Sequence, residues 1–472
     1  MKTRPTHLFL QCILMAWLAL MPAGRVTAQN FADWPVTRIS AGGAHSLFTR
    51  ADGVVFVMGD NTYGQLGLGP TVTNVDVPTA LTNGVGAIAA GGGHSLMVRG
   101  HGLWAMGYNE WGQLGDGTIS NQYFPELVVT LASSFSASYS FNTLAAGGDH
   151  SLFGFVNNRS PGGGLSVMGD NDSGQLGDGT YNNHLTPEQI VSWGLGQPAV
   201  TACAAGLDHS LFVKSDGSLW AMGSDSSGQL GDGQLSIFTN MPEMIKSSGV
   251  VAVAASAASS FFIVTPGVLW DMGDNEYGEL AAPYALSPGY NTPIVAGTLQ
   301  DTNDIIDIAA GGDSTLFVLS DGTLWAAGDN LAGQLGVGDN LSYTNVPQLV
   351  ASNVVAIAVG FQHGLFIKSD GSLWGMGYNR DGELGTGDYN NRYAPVEIVA
   401  APPQPRIFSY GANVILAWPT NAVGFVLEST PSLTSPAWTT VSPGPIIVGN
   451  QFEVVFNTAS APQRFYRLAL NP

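Results

Sequence analysis

Short apolar runs separated by glycine-rich turns recur along most of the chain, and the interval from Gly86 to Val129 shows the pattern once in full. Its predicted strands are Ala87 to Ala90, His94 to Arg99, Leu103 to Met106 and Glu126 to Val129. The interval contains no long apolar stripe with a 3.6-residue period, and glycine interrupts every segment that could be helical. The pattern therefore predicts four short antiparallel strands per repeat.

The repeat is counted most easily at a Gly-Gln-Leu-Gly core, or its Gly-Glu-Leu variant, that follows the third predicted strand. The core leucines are Leu66, Leu114, Leu176, Leu230, Leu280, Leu335 and Leu384, which makes seven copies spaced 48 to 62 residues apart. A period of this size is typical of repeat architectures. Most copies also carry an Asp-Gly hairpin turn between the second and third strands, as at Asp52-Gly53. Seven four-stranded units predict a seven-bladed β-propeller.

The two ends of the repeat region suggest how such a ring closes. Val36 to Thr49 reads as strands without a preceding partner, and Pro395 to Ala400 reads as a last strand without a successor. We therefore expect these two segments to pair within one shared blade, which leaves no open sheet edge.

Two motifs recur in phase, G-G-x-H-S-L and W-x-M-G-x-N-x-x-G-Q-L-G, and together they resemble the regulator of chromosome condensation repeat family. The resemblance covers residues 36–400 and implies a seven-bladed propeller. The copies are imperfect, because Ser259 and Ser314 replace the histidine in two of them and Ala281 replaces the last glycine of the fifth core. Members of this family include intracellular nucleotide-exchange factors for small GTPases and secreted bacterial β-lactamase inhibitors.

Residues 401–406, A-P-P-Q-P-R, are predicted to form a stiff proline-rich linker. Seven short candidate strands follow, so residues 407–472 are predicted to form a small β-sandwich. Its predicted core residues are Trp418, Phe425, Leu427, Trp438 and Tyr466. This region is similar to fibronectin type III-like modules at the ends of exported bacterial proteins. The predicted fold class is therefore all-β throughout.

Residues 1–28 have the pattern of a secretory signal peptide. Lys2 and Arg4 precede an apolar stretch from Leu8 to Met21, and small residues stand before a cleavage point ahead of Gln29. The alternative is an uncleaved membrane anchor, for which the apolar run is short. We expect a secreted, periplasmic or cell-envelope protein that is not bound to the membrane after cleavage.

The charge of the chain disfavours nucleic acid as a partner. The sequence holds 15 basic and 35 acidic residues, a formal net charge of −20, and no cluster of lysine or arginine reverses it locally. Such a surface repels phosphate backbones and anionic lipid headgroups.

The repeat histidines His45, His94, His150, His209 and His363 first suggest a metal site. Equivalent positions in packed sheets lie about 10 Å apart, too far to share a zinc ion. We therefore expect turn histidines that are hydrogen-bonded to the backbone. The stretch Asp170 to Gly174 resembles a calcium loop but has Tyr181 where a glutamate is required, so turn capping is favoured. No metal, cofactor or catalytic residue is predicted, and the protein is not expected to be an enzyme.

The loop after the third strand is the best candidate for recognition, because in several copies it carries aromatic residues. These are Tyr63, Tyr108, Trp111, Tyr277 and Tyr378. Equivalent loops should lie at one end of the ring, and exposed Tyr and Trp favour interfaces. The alternative is that these side chains only cover their own blades.

The leading hypothesis is an exported, non-enzymatic protein-interaction scaffold that binds an unidentified protein through loops on one propeller face. One alternative is an extracellular carbohydrate-binding protein or an enzyme that acts on polysaccharide. Two further alternatives come from the family resemblance: a β-lactamase-inhibitor-like secreted protein, or, without export, a guanine-nucleotide exchange factor for a small GTPase.

Overall fold

The computed structural model describes most of the chain after residue 33. The described residues are 34–130, 139–157, 163–191, 197–234, 237–281, 289–296, 305–338, 341–403, 406–410, 413–419, 425–432, 437–449, 451–457 and 465–470. The predicted signal peptide, residues 1–28, lies outside them. Contacts between residues divide the chain into one compact unit, Val36–Ala400, and a second that contains residues 401–472. No helix able to span a membrane occurs among the described residues.

The described part of Val36–Ala400 forms seven four-stranded antiparallel sheets, and each uses four consecutive strands. The first contains β1 (Val36–Ala41), β2 (His45–Arg50), β3 (Val55–Asp60) and β4 (Asn74–Thr82), and the second β5 (Val85–Ala90), β6 (His94–Arg99), β7 (Gly102–Gly107) and β8 (Gln122–Thr130). The third contains β9 (Tyr139–Ala146), β10 (His150–Asn157), β11 (Gly163–Gly169) and β12 (His184–Val191), and the fourth β13 (Val200–Ala205), β14 (His209–Lys214), β15 (Leu219–Ser224) and β16 (Phe238–Lys246).

The remaining three sheets follow the same order. The fifth contains β17 (Val250–Ala255), β18 (Ser259–Val264), β19 (Val268–Gly273) and β20 (Tyr290–Val295). The sixth contains β21 (Ile305–Gly311), β22 (Ser314–Leu319), β23 (Leu324–Asp329) and β24 (Tyr343–Ala351), and the seventh β25 (Val354–Val359), β26 (His363–Lys368), β27 (Leu373–Gly377) and β28 (Arg392–Val399). The strand prediction for Gly86 to Val129 is confirmed, with boundaries that differ by a few residues at most.

The predicted closure by a shared blade is wrong. β28 pairs with β27 of its own sheet, with Val399 opposite Leu373, and β1 pairs with β2. The first and last repeats each supply four strands, so no strand is left over for sharing. The seventh sheet instead contacts the first through two backbone hydrogen bonds of 3.0 Å, from Val36 N to Gly371 O and from Phe361 N to Gly42 O.

Neighbouring sheets pack through apolar side chains, and one contact recurs at six junctions. The last glycine of the Gly-Gln-Leu-Gly core lies against a methionine of the next sheet, so that a Cβ on Gly231, for example, would overlap Sδ of Met272. At the fifth-to-sixth junction the pair is Ala281 and Ala327, which share one core cluster. Ala281 is accommodated because alanine replaces the methionine that would have filled its space. The irregular core of the fifth copy is therefore compensated by a second substitution in the sixth sheet.

Gly231→Ala is expected to lower the free energy of unfolding by about 1–3 kcal/mol, because the methyl group overpacks the junction and because Gly231 has a φ of 73°, which disfavours a side chain. Met272→Ala in the same chain should relieve the overlap, as Ala327 does for Ala281. A double-mutant cycle of denaturant unfolding measures the coupling. Strictly additive losses would contradict the packing argument.

The unit that contains residues 401–472 has two described sheets. One has the order β29 (Arg406–Tyr410), β30 (Asn413–Pro419), β34 (Gln451–Asn457) and β33 (Ile446–Val448), and the other β32 (Thr439–Thr440), β31 (Phe425–Thr430) and β35 (Phe465–Leu470). Arg406, the last residue of the predicted linker, begins β29.

A single hydrophobic cluster joins these two sheets. Trp418, Leu427 and Tyr466 lie within it, and Phe425 packs against it, as predicted. Trp438 is not part of the cluster, and the Arg467 guanidinium lies 4.4 Å from its ring centroid. The prediction of Trp438 as a core residue is therefore wrong, because its ring packs beneath a charged side chain.

Candidate functional site

The loop that follows each third strand is held by two buried polar side chains. In the first copy Asn61 Oδ1 accepts a hydrogen bond from Leu66 N at 2.9 Å, and Asn61 Nδ2 donates to Val72 O at 2.7 Å. Gln65 Oε1 accepts from Tyr63 N at 3.0 Å, and Gln65 Nε2 donates to Asp60 at 2.8 Å. Equivalent bonds are present in most copies, so the loops form a rigid platform at one end of the sheets.

The five predicted aromatic residues occupy two different positions of this loop. Tyr63, Trp111 and Tyr277 each stand directly before the glycine that opens the Gly-Gln-Leu-Gly core or its variant. Tyr108 and Tyr378 each stand directly after the glycine that ends the third strand. Tyr63 is 42% exposed and Trp111 37% exposed, and the other three are half-buried. Among the five predicted residues, the two most accessible rings therefore lie in the first two copies.

The structure brings only two of the five aromatic rings together among the described residues. Tyr63 and Tyr108, from adjacent sheets, have ring centroids 4.9 Å apart at an interplanar angle of 55°. The Tyr108 hydroxyl donates to a Glu110 carboxylate oxygen at 2.9 Å, and burial together with this bond raises the pKa of Tyr108 to about 12. No ring contact between described residues joins Trp111, Tyr277 or Tyr378 to this pair.

Carboxylates lie on these loops and beside them: Asp170 follows β11, whereas Asp149 and Asp208 directly precede β10 and β14. Burial, and then the nearby charges of Asp170 and Asp208, raises the pKa of Asp149 to about 6. Burial also raises the pKa values of Asp170 and Asp208. Asp170 Oδ1 accepts a hydrogen bond from Asp172 N, which agrees with the predicted turn-capping role. This face is therefore strongly negative near the second to fourth sheets.

Two glutamates replace the loop glutamine and lack its amide donor. Burial raises the pKa of Glu279 to about 8, with Asp274 and Asp313 contributing, and raises the pKa of Glu383 to about 7. Glu383 Oε1 is buried, and no residue in the described part of the chain forms a hydrogen bond with it. These side chains lie in different sheets, as expected, and do not form a carboxylate pair.

The repeat histidines connect neighbouring sheets, which the sequence analysis missed. His45 Nε2 lies 2.8 Å from Ser95 Oγ, and Ser95 Oγ donates to Gln65 O at 2.8 Å. Because the serine proton is used in that bond, His45 Nε2–H must be the donor to Ser95. The other bridges are His94 to Ser151, His150 to Ser210, His209 to Ser260 and His363 to Ser46.

The prediction of turn histidines bonded to the backbone missed the side-chain contact that all five share, because each Nε2 reaches the serine of the next sheet. Burial lowers the pKa of His94 to about 3 and that of His45 to about 4, so the rings are neutral. A signal was present in the sequence: where Ser259 and Ser314 replace the histidine, Thr315 and Gly364 replace the partner serine. Among the described residues, no group of three or more potential metal-ligating side chains is suited to a metal ion.

Comparison with known protein families gives three matches along the chain. A model of the RCC1-like domain matches residues 82–417, and models of the regulator of chromosome condensation repeat match residues 52–98 and 36–65. The first match spans most of the chain. The chain therefore belongs to the RCC1-like domain family, as the two in-phase motifs indicated.

Similar proteins differ widely in size. The chain is 31% identical over 214 residues to the human probable E3 ubiquitin-protein ligase HERC4, which covers 44% of the chain and 19% of HERC4. It is 30% identical over 203 residues to the ultraviolet-B receptor UVR8 of Arabidopsis thaliana, which covers 42% of the chain and 43% of UVR8. The matched segment thus spans less than half of either relative.

Two solved structures share the fold. Human WBSCR16 superposes with a TM-score of 0.64 at 24% identity, covering 75% of this chain and 95% of WBSCR16. Prp20p from Saccharomyces cerevisiae superposes with a TM-score of 0.64 at 20% identity, covering 75% of this chain and 87% of Prp20p. At these identities the likeness establishes the all-β propeller fold alone.

Proposed function

We propose that this chain is a non-enzymatic protein-binding scaffold whose partner docks on the face formed by the loops after the third strands. The supporting observation is the rigid platform held by Asn61, Gln65 and their equivalents, which presents exposed Tyr63 and Trp111 beside carboxylates. Rigid presentation lowers the ordering cost of binding. The reported study of Prp20p concerns its binding to Gsp1p and histones, which supports a protein partner for this fold.

The proposal includes a closed ring of seven blades. The support is that the seventh sheet meets the first as other neighbours meet: His363 Nε2 lies 2.8 Å from Ser46 Oγ, and Gly385 packs against Met58. We further propose that residues 407–472 form a β-sandwich, because Trp418 and Leu427 from different sheets share one core cluster. The ring supplies the rigidity that the binding face requires.

Trp111→Ala is expected to weaken binding of the partner about thirtyfold, because truncation of an anchoring aromatic commonly costs at least about 2 kcal/mol. The melting temperature should change little, since Trp111 is 37% exposed. The measurement is the affinity of a protein isolated with the wild-type chain from a cell-envelope fraction, together with melting of each variant.

The matched control is Met244→Ala, because Met244 is 55% exposed on β16 at the position opposite Trp220. It should leave affinity unchanged. Lost stability in Trp111→Ala with unaltered affinity would reject the recognition role and leave Trp111 as a cover for its own blade. Binding of an oligosaccharide through Tyr63 and Trp111, with no protein captured, would favour the carbohydrate alternative.

We also propose export to the periplasm, envelope or medium. The support is the charged, apolar and small-residue order of residues 1–28. Amino-terminal sequencing of the mature protein is expected to begin near Gln29. Intact Met1 in a cytosolic fraction would contradict export and would favour a nucleotide-exchange role on a small GTPase.

A further inference from the structure

A cavity of about 450 Å³ lies against the first strands of four sheets, β25, β1, β5 and β9. It is distinct from the aromatic loops, because none of its lining residues belongs to a loop after a third strand. Its volume falls within the range of small-molecule sites, about 300–1,000 Å³. The cavity therefore has room for a ligand of a few carbon atoms.

Arg38 is the only charged side chain among the described residues that line the cavity. The strand register shows that the residue type at this position differs between sheets. Arg38 lies opposite Thr49 just after a bulge, and the second and seventh sheets have Ala87 and Ala356 at the equivalent position. Alanine also occupies this position in the fourth and fifth sheets. A long cation thus stands where alanine suffices for packing in four other sheets, while the sixth sheet has Asp307 at this position.

The Arg38 guanidinium is not used within the fold. It takes part in none of the ion pairs or side-chain hydrogen bonds formed between described residues, and its side chain is exposed. The chain has a net charge of −20, and the ion pairs formed by its described arginines involve Arg50, Arg392 and Arg467, not Arg38. Its five N–H donors remain available, and a guanidinium pairs best with a planar carboxylate.

The rest of the lining suits a ligand with a polar and an apolar end. Ile39, Ile88 and Ile357 contribute aliphatic surface. The adjacent polar wall is fixed, because Asn142 Nδ2 donates to Val200 O at 2.7 Å and Thr143 Oγ1 accepts from Cys203 N at 3.1 Å. A fixed wall loses little entropy when a ligand binds.

We propose that this cavity binds a small organic carboxylate, with its carboxylate on Arg38 and its aliphatic part against the isoleucine side chains. Inorganic phosphate shares the anionic oxygens but lacks the aliphatic part, so the two probes separate charge recognition from recognition of the whole ligand. The site is independent of the protein-binding face and requires no second protein.

The test titrates the full chain with hexanoate and, separately, with inorganic phosphate, by calorimetry at constant ionic strength. Hexanoate is expected to bind the wild type saturably, and Arg38→Gln is expected to weaken it by at least about tenfold, the loss of one charge-assisted contact. Ala356→Leu should also weaken hexanoate, by filling the cavity while Arg38 is retained. Arg380→Gln, at an exposed arginine outside the lining, is the matched control and should bind as the wild type does.

Melting of each variant verifies that it is folded. Equal hexanoate affinity in Arg38→Gln and the wild type would overturn the proposal, as would no saturable binding up to roughly 10 mM. Phosphate binding as tight as hexanoate binding would overturn the assignment to an organic carboxylate. Loss of stability in Arg38→Gln without any anion binding by the wild type would make Arg38 a structural residue.

Discussion

Replacing Asp271 with alanine is expected to stabilise the protein, by an amount that grows as the pH rises. Asp271 lies in β19 and is fully buried, and neither carboxylate oxygen has a hydrogen-bond partner among the described residues. Ala105 and Ala221 take the equivalent strand position in the second and fourth sheets. A buried carboxyl without a partner costs about 1–3 kcal/mol even when neutral, so a gain of this size is expected at pH 5.

The pH dependence follows from the direction of the pKa shift. Burial raises the pKa of Asp271 well above its ordinary value, so the native state keeps a proton that the unfolded state releases. The native state is therefore favoured most below the unfolded pKa of about 4, and stability falls by up to about 1.4 kcal/mol per pH unit until the folded pKa is passed. Asp271→Ala removes this loss.

Denaturant unfolding of the wild type, Asp271→Ala and Asp271→Asn at pH 5, 7 and 9 measures the effect. Asparagine keeps a buried polar group but cannot ionise, so it should remove the pH dependence and keep the constant penalty. Asp172→Ala, at an exposed aspartate, is the matched control and should change neither. A destabilised Asp271→Ala at every pH would contradict the prediction and indicate that Asp271 contributes favourable packing.

His363→Ala is expected to lower the free energy of unfolding by about 3–5 kcal/mol. The imidazole is fully buried, and its Nε2 lies 2.8 Å from Ser46 Oγ, so its removal leaves both a cavity and an unpaired hydroxyl between the seventh and first sheets. His94→Ala, at an internal junction with the same 2.8 Å bridge to Ser151, should cost a similar amount. A double-mutant cycle with Ser46→Ala isolates the bridge.

This comparison tests ring closure directly. If His363→Ala costs nothing while His94→Ala costs several kcal/mol, the first and seventh sheets are not joined in solution.

Burial lowers the pKa of His363 to about 3, so below about pH 6.5 the unfolded state takes up a proton that the native state excludes. Stability is therefore full above pH 6.5 and is lost as the pH falls towards 3. His363→Gln should retain a donor near Nε2 and remove this acid sensitivity.

The buried histidines and buried carboxyls act in opposite directions. His94 favours the native state as the pH rises, whereas Glu279 and Asp271 favour it as the pH falls. We expect these contributions to offset one another in the wild type. Single substitutions are therefore needed to reveal each one.

The repeat pattern was sufficient to predict the strands and to locate the loops. Both depend on interactions that are local in sequence: Asp-Gly turns, short apolar runs, and glycines that permit tight loops. The five aromatic residues could be placed on those loops for the same reason. Their exposure could not be predicted, because Tyr63 contacts Tyr108 of the adjacent sheet while Trp111 has no ring partner among the described residues.

The sequence by itself determined the all-β class, the seven copies and the loop that carries the aromatic residues, because each copy forms its own sheet from consecutive strands. Only the tertiary structure decided what happens between copies. The bridge from His45 to Ser95 and the burial of Asp271 depend on which faces of two sheets meet. The same holds for Arg38, whose free guanidinium is evident only when the first strands of four sheets enclose one cavity. Such contacts join residues about 50 or more positions apart, and no local pattern encodes them.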